Sequence, residues 1–241
     1  MKRKRNLNRS IILVVIVIVV LAGAANLLFA KYTKNKPRIS RQEIGTDIYV
    51  LEEEVRNTLG KECVSISTDR SSGSGILWSY NGKELLVLTA GHMMINFNSG
   101  ELELWSGEKL EFSVKDVQVF PENDTAWIRL TTQDELKLVR GGAGANISKL
   151  QPEIGDMVWI VDSVYGPASG IQRSQVYAVD YYLNDYGMEM ILLSCDGAEG
   201  MSGCPVYDED GRLLAVMSGM SEDSSILAAV PVENLLGNID L

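Results

Sequence analysis

Three short stretches carry side chains whose types and order could do chemistry. Leu86-Val-Leu-Thr-Ala-Gly-His92 delivers the chain's one histidine at the end of an apolar run. Asn123-Asp124-Thr125-Ala126-Trp127-Ile128 places an aspartate immediately before another such run. Gly200-Met201-Ser202-Gly203-Cys204-Pro205 brackets a serine with two nearby glycines. A serine hydroxyl is a weak nucleophile and needs an adjacent base, a role that fits the imidazole of His92. That base needs a carboxylate to fix its tautomer and to stabilise the imidazolium, which suits Asp124. Gly200 and Gly203 permit the strained turn that exposes a hydroxyl. The same turn can aim the amides of Gly200 and Ser202 at one point, where an oxyanion forms; losing one such donor costs about 100- to 1000-fold in rate. Singly, the three read as a surface histidine, a turn aspartate and a turn serine. Together and in order they supply a nucleophilic acyl-transfer site.

The elements that must position these residues are short. Runs rich in Val, Ile, Leu, Trp and Tyr, broken by Gly, Asn and Asp, occur at Cys63–Ser67, Gly75–Trp78, Glu84–Thr89, Leu102–Trp105, Phe112–Phe120 and Thr125–Leu130. A second series follows at Met157–Asp162, Gln175–Ala178, Met188–Ser194, Pro205–Tyr207, Leu213–Ser218 and Ile226–Val230. Many short strands with regular turn signals predict an all-β barrel or sandwich. Arg140–Asp156, with Gly-Gly-Ala-Gly and a proline, reads as a linker between two β units at about 61–140 and 154–232. Ahead of them, Ser40–Gly60 has a helical pattern, with a capping box at Ser40 and Glu43 and apolar residues at Ile44, Ile48, Leu51, Val55 and Leu59. It is expected to pack on the β domain or to lead up from a membrane.

The order His, Asp, Ser within Thr-Ala-Gly-His, Asp-Thr-Ala and Gly-x-Ser-Gly-x-Pro resembles the trypsin/chymotrypsin family of serine endopeptidases, over roughly Cys63 to Val232. Gly155-Asp-Met-Val-Trp-Ile is similar to the strand that opens the second barrel in the HtrA-like bacterial branch. Gly200-Met-Ser-Gly-Cys-Pro-Val resembles bacterial glutamyl endopeptidases. The resemblance implies two six-stranded β-barrels, with His92 and Asp124 on the first, Ser202 on the second, and protein or peptide substrates bound between them. It places Asp196 where such enzymes hold the acid that binds Arg or Lys, although related bacterial proteases often carry an Asp here without basic specificity, and the structural turn aspartate is the favoured reading. It also puts Ser218, Gly219 and Met220 on the strand edge that walls the substrate pocket. A glutamate-specific pocket commonly uses a second histidine, which this chain lacks. Met201 stands where family members activated by cleavage carry an aspartate, so no zymogen switch of that kind is expected. Cys204 stands where Gly or Ser is usual. Eleven residues follow Val230, so no PDZ domain of the HtrA kind is expected.

Charge separates the chain into two parts. Residues 1–41 carry ten Lys/Arg and no acid, leaving 12 basic against 32 acidic residues, a net of −20, in 42–241. A part this acidic is a poor partner for nucleic acid, because phosphate binding needs clustered Lys and Arg. Ile11–Ala30 runs twenty residues with no charge and Asn26 as its single polar side chain. At about 1.5 Å per residue that spans about 30 Å, the thickness of a bilayer core. The basic cluster at 1–10 predicts a cytoplasmic N-terminus, a signal anchor at 11–30, a stalk and short helix at 31–60, and an extracytoplasmic protease domain at 61–241. The rival is a signal peptide cleaved near Ala24 in Ala22-Gly23-Ala24, against which the apolar run continues through Phe29. Cys63, Cys195 and Cys204 allow at most one internal disulfide and read as buried thiols. With one histidine, no zinc pattern is present, and neither metal nor organic cofactor is implied. The expectation is a membrane-anchored serine endopeptidase of a bacterial cell envelope. The alternative is a catalytically silent double barrel that binds peptides or envelope partners.

Overall fold

The computed structural model describes residues 51–132, 136 and 142–238. The expected membrane segment at 11–30, the flanking 1–10, the stalk and the first half of the Ser40–Gly60 helix lie outside the described residues. Among the described residues no helix is long and apolar enough to cross a membrane. Residues 51–58 form the helix α1. Val55 and Leu59 turn inward to join Trp105, Tyr207 and Leu213, so this helix packs on the β domain.

A 3-10 turn at Gly60–Glu62 leads into the first sheet: β1 (Cys63–Thr68), β2 (Ser72–Tyr80), β3 (Glu84–Ala90), β4 (Ser99–Glu103), β5 (Lys109–Ser113), β6 (Val117–Phe120) and β7 (Thr125–Thr131). The second set is β8 (Met157–Asp162), β9 (Gly170–Leu183), β10 (Met188–Ser194), β11 (Pro205–Asp208), β12 (Leu213–Met220) and β13 (Ile226–Pro231). The second set closes into the expected six-stranded barrel, in the order β10-β13-β12-β11-β8-β9. The first does not. It is a seven-stranded antiparallel sheet, β5-β4-β1-β2-β3-β7-β6, that forms a half-barrel with β5 and β6 as its two edges. The cause lies in Phe112–Phe120, which reads as a single strand. A 3-10 turn at Val114–Asp116 breaks it, and a capping box fixes the turn: both the amide and the hydroxyl of Ser113 donate to the Asp116 carboxylate at 2.9 Å. The chain thereby leaves β4 and rejoins the sheet beside β7.

Alternation along the central strands explains how the two halves stick together. In β3, Leu85 and Val87 face the core of the first sheet with Ile66, Leu102 and Ile128. Leu86 and Leu88 face the other way and share a core with Trp78, Trp127, Trp159, Tyr207 and Val216, drawn from both halves. The period of two therefore buries both faces of β3, and a near-continuous apolar run is the result. Trp78 and Trp127 meet edge to face, with centroids 4.9 Å apart. Leu88 is fully buried in this junction, where truncation to Ala costs about 2–5 kcal/mol. Between the halves, the described part of the expected linker is ordered against β12: Ile147 bridges Leu213, and Ser148 N–H donates to Leu213 O at 2.8 Å.

Candidate active site

β3 ends at Ala90, and the 3-10 turn Gly91–Met94 carries His92. Asp124 follows the 3-10 turn Pro121–Asn123 in a left-handed conformation, φ 47°, and opens β7. β3 and β7 pair along their full lengths, down to Ala90 opposite Thr125, so their ends bring histidine and aspartate together. Gly91 N–H donates to Asp124 O at 2.8 Å, and His92 N–H donates to Asp124 Oδ1 at 2.7 Å. His92 Nδ1 lies 2.9 Å from Asp124 Oδ2, and His92 Nε2 lies 3.0 Å from Ser202 Oγ. The order carboxylate–imidazole–hydroxyl across 110 residues of sequence is the geometry expected of a base, its orienting acid and a nucleophile.

Asp124 is held from both halves. The Ser218 hydroxyl, on β12, donates to Asp124 Oδ2. Burial pushes the Asp124 carboxyl up, but the hydrogen bonds from His92 and Ser218 and the charge of His92 outweigh it and leave the carboxyl below its ordinary value of 3.8. Tyr186, in the β9–β10 turn, extends this line by reaching the Ser218 hydroxyl. Burial raises the Tyr186 phenol, Ser218 opposes that, and the Asp124 charge adds to it.

The loop from Cys195 to Cys204 presents Ser202. Gly200 and Gly203 have φ of +93° and +83°, the left-handed region that costs a side-chain-bearing residue about 1–2 kcal/mol. Gly203 N–H donates to Met217 O at 2.8 Å and Cys204 N–H to Met201 O at 3.0 Å. The amides of Gly200 and Ser202 find no acceptor among the described residues, so both remain available to a ligand oxygen. The loop's carbonyls are spoken for by a residue the motifs did not suggest. Ser74, fully buried on β2, donates its N–H to Ser202 O at 2.8 Å and its hydroxyl to Gly200 O at 3.0 Å. Its own carbonyl accepts from the Thr89 hydroxyl at 2.7 Å, which gives the threonine of Thr-Ala-Gly-His a purpose. The strand expected from the sequence begins at Gly75, one residue after Ser74.

The expected pocket residues are placed less uniformly. β11 ends its pairing with β12 at Val216; beyond it Gly219 and Met220 pair with β13, Ser218 lies in the bulge between Met217 and Gly219, and no described strand pairs with the other edge. Asp196 is exposed, at the head of the loop. Its neighbour Gly197 packs so that a side chain there would meet Leu227 and Met220. The three cysteines are free thiols. Burial pushes Cys63 up to about 12 and Cys195 up to about 11, and holds Cys204 well above the ordinary thiol value.

A family model described as a trypsin-like peptidase domain matches residues 73–216, more than half of the chain. The chain is 25% identical to serine protease HTR4 of Bos taurus over 185 residues, covering 75% of this chain and 35% of that protein. Among solved structures it resembles the HtrA-type protease AlgW with a tripeptide, with a TM-score of 0.60 at 18% identity over 77% of this chain and 61% of that one. It also resembles the Rv3671c protease of M. tuberculosis in an inactive form, with a TM-score of 0.59 at 17% identity over 80% and 96% of the two chains.

Proposed function

The chain belongs to the trypsin-like peptidases, a family of serine proteases, and from that membership we propose that it is an endopeptidase working through Ser202, His92 and Asp124. The observation that carries this reading is the unbroken line of hydrogen bonds from Asp124 through His92 to Ser202. Ser202 Oγ attacks the peptide carbonyl while His92 Nε2 takes its proton. Asp124 holds the imidazole with Nδ1–H toward it and stabilises the imidazolium. The tetrahedral oxyanion is received by the free amides of Gly200 and Ser202. Collapse expels the amine, protonated by His92, and leaves an acyl-enzyme that water hydrolyses by the same steps. The substrate backbone adds to the free edge at Ser218–Met220 as a further strand.

Fluorophosphonate labelling of the full chain, beside Ser202→Ala and His92→Ala, tests the reading. Labelling lost in both variants supports it. A folded parent that does not label leaves the silent binding barrel instead, and a Ser202→Ala variant that labels equally removes Ser202 as the nucleophile. We further propose that residues 11–30 anchor the chain, with the protease domain outside the cytoplasm. The support is the charge-free run and its basic flank. Tethering raises the effective concentration of nearby membrane proteins, which makes them the proposed substrates. Recovery of the full-length chain in the alkaline-washed soluble fraction would end the anchoring proposal.

A further inference from the structure

Helix α1 packs on the β domain through Val55, and a second of its side chains is tied to the loop behind the active site. The Arg56 guanidinium donates to Ala168 O and, at 3.3 Å, to Ser169 O, more than a hundred residues along the chain. It also faces the buried Asp162, where its charge opposes the upward push of burial. Ala168 is fully buried at φ +51°, a left-handed conformation that a side-chain-bearing residue keeps only when its surroundings hold it there. Its N–H donates to the Ser163 hydroxyl at 3.3 Å, which also contacts the Cys63 thiol at 3.0 Å. Ser163 N–H then donates to the Ser74 hydroxyl at 2.9 Å, and that hydroxyl donates to Gly200 O.

We propose that Arg56 is a positioning residue for the hydrolysis: it clamps residues 163–169, and through Ser163 and Ser74 that loop fixes the turn bearing Gly200 and Ser202. The proposal rests on the peptidase reading above and names what holds its oxyanion site in place. Ser74 grips the carbonyls of Gly200 and Ser202 at once. With both held, the Met201–Ser202 unit that carries the Ser202 N–H lies between two anchored peptides, and the unit that carries the Gly200 N–H is steadied on its C-terminal side. The Ser74 hydroxyl performs this only while Ser163 N–H occupies its lone pair and directs its proton toward Gly200. Ser163 in turn is placed by the Ala168 turn that Arg56 holds. Both bonds come from one guanidinium nitrogen, Nη1, so a lysine ammonium at this position can make part of the same contact.

The test uses the full chain with Arg56→Ala, Arg56→Lys, Ser74→Ala and the double variant Arg56→Ala/Ser74→Ala, read by steady-state kinetics on a peptide substrate and by amide hydrogen exchange. The expected result is a kcat for Arg56→Ala lower by about 10- to 100-fold with KM changed by less than about threefold, as for a displaced catalytic group. Arg56→Lys restores part of it. Exchange quickens at 163–169 and 199–203, and the double variant is no slower than Ser74→Ala, because both act through one line of contacts. A kcat within about twofold of the parent, or additive losses in the double variant, overturns the proposal. So does faster exchange confined to 51–59, which would make Arg56 a docking contact for α1. A parent without peptidase activity sinks the peptidase reading, and exchange at 199–203 then decides the clamp by itself.

Discussion

Replacing Gly203 by Ala adds one methyl group beside Ser202, and the fold dictates where that methyl must go. It would lie 2.2 Å from Ser74 O, 2.3 Å from Thr89 Oγ1 and 3.0 Å from Ala90 N. Two of these are backbone atoms of β2 and β3, at the centre of the first sheet, so they cannot swing aside. Ordinary contact begins at 3.4 Å, so loop and sheet must separate by about 1.2 Å, the difference between the two distances. Overpacking of this kind costs about 1–3 kcal/mol, and the φ of +83° costs an alanine about 1–2 kcal/mol more. The expected loss of stability is therefore about 2–5 kcal/mol. Ser202 is the adjacent residue, and a displacement of about 1 Å at a reacting atom lowers kcat by about 100-fold. Gly200→Ala is the control, because at φ +93° its methyl has Val164 Cγ2 at 3.5 Å as nearest neighbour. Only the backbone cost of about 1–2 kcal/mol applies there. Denaturant unfolding and steady-state kinetics on the two variants decide. If Gly203→Ala is no less stable than Gly200→Ala and retains the parent kcat, the packing argument is wrong.

Asp124→Asn lowers kcat by about 10⁴-fold, because the amide presents the wrong partner to His92 Nδ1; a loss under about tenfold would mean that His92 takes its orientation from elsewhere. Ser218→Ala removes a bond that holds the Asp124 carboxyl below its ordinary 3.8. A depressed carboxyl contributes stability that is present above its unfolded value and lost as pH falls through its folded value. The stability deficit of Ser218→Ala is thus full at neutral pH and disappears in acid below the ordinary carboxylate range; an equal deficit at every pH in urea titrations would contradict it. Because Asp196 is exposed while Met220 Sδ would lie 3.0 Å from a side chain at position 197, Asp196→Ser leaves the residue preference before the cut unchanged and Met220→Ala shifts it. Peptide-library profiling in which Asp196→Ser abolishes cleavage after Lys or Arg would reinstate an electrostatic pocket.

Much of this was legible because the chemistry is written locally. Each of His92, Asp124 and Ser202 sits at a strand end or in a glycine turn, where a few neighbouring residues determine the backbone. The apolar runs located the strands for the same reason: in β3, β8 and β12 both faces are buried, so the apolar run is near-continuous. Two local errors have local causes. The Ser113–Asp116 capping box that splits β5 from β6 was hidden inside an apolar stretch. β9 runs from Gly170 to Leu183 rather than over four residues, because exposed Tyr177, Tyr181 and Tyr182 and the bulges against β10 blur its alternation. What sequence could not display is the supporting framework. Ser74, Ser163 and Arg56 work through partners 89 to 126 residues away, and no spacing rule reaches that far.

The residues that would perform catalysis are also those that join the two halves. Asp124 belongs to the half-barrel but accepts from Ser218 of the closed barrel. Ser202 belongs to the closed barrel, yet its carbonyl is held by Ser74 of the half-barrel. Neither half therefore completes its own contribution, and each supplies the group that fixes the other's. The apolar junction built on Trp78, Trp127, Trp159 and Tyr207 keeps those reciprocal bonds in register. An interface this apolar suppresses the relative motion that is otherwise expected between two halves of one chain. Loosening it would lengthen the Asp124–Ser218 and Ser74–Ser202 bonds together, so loss of docking and loss of the assembled site are one event. An open first sheet is compatible with this design, since β5 and β6 lie at its far edges while β2, β3 and β7, which carry the site, are paired on both sides.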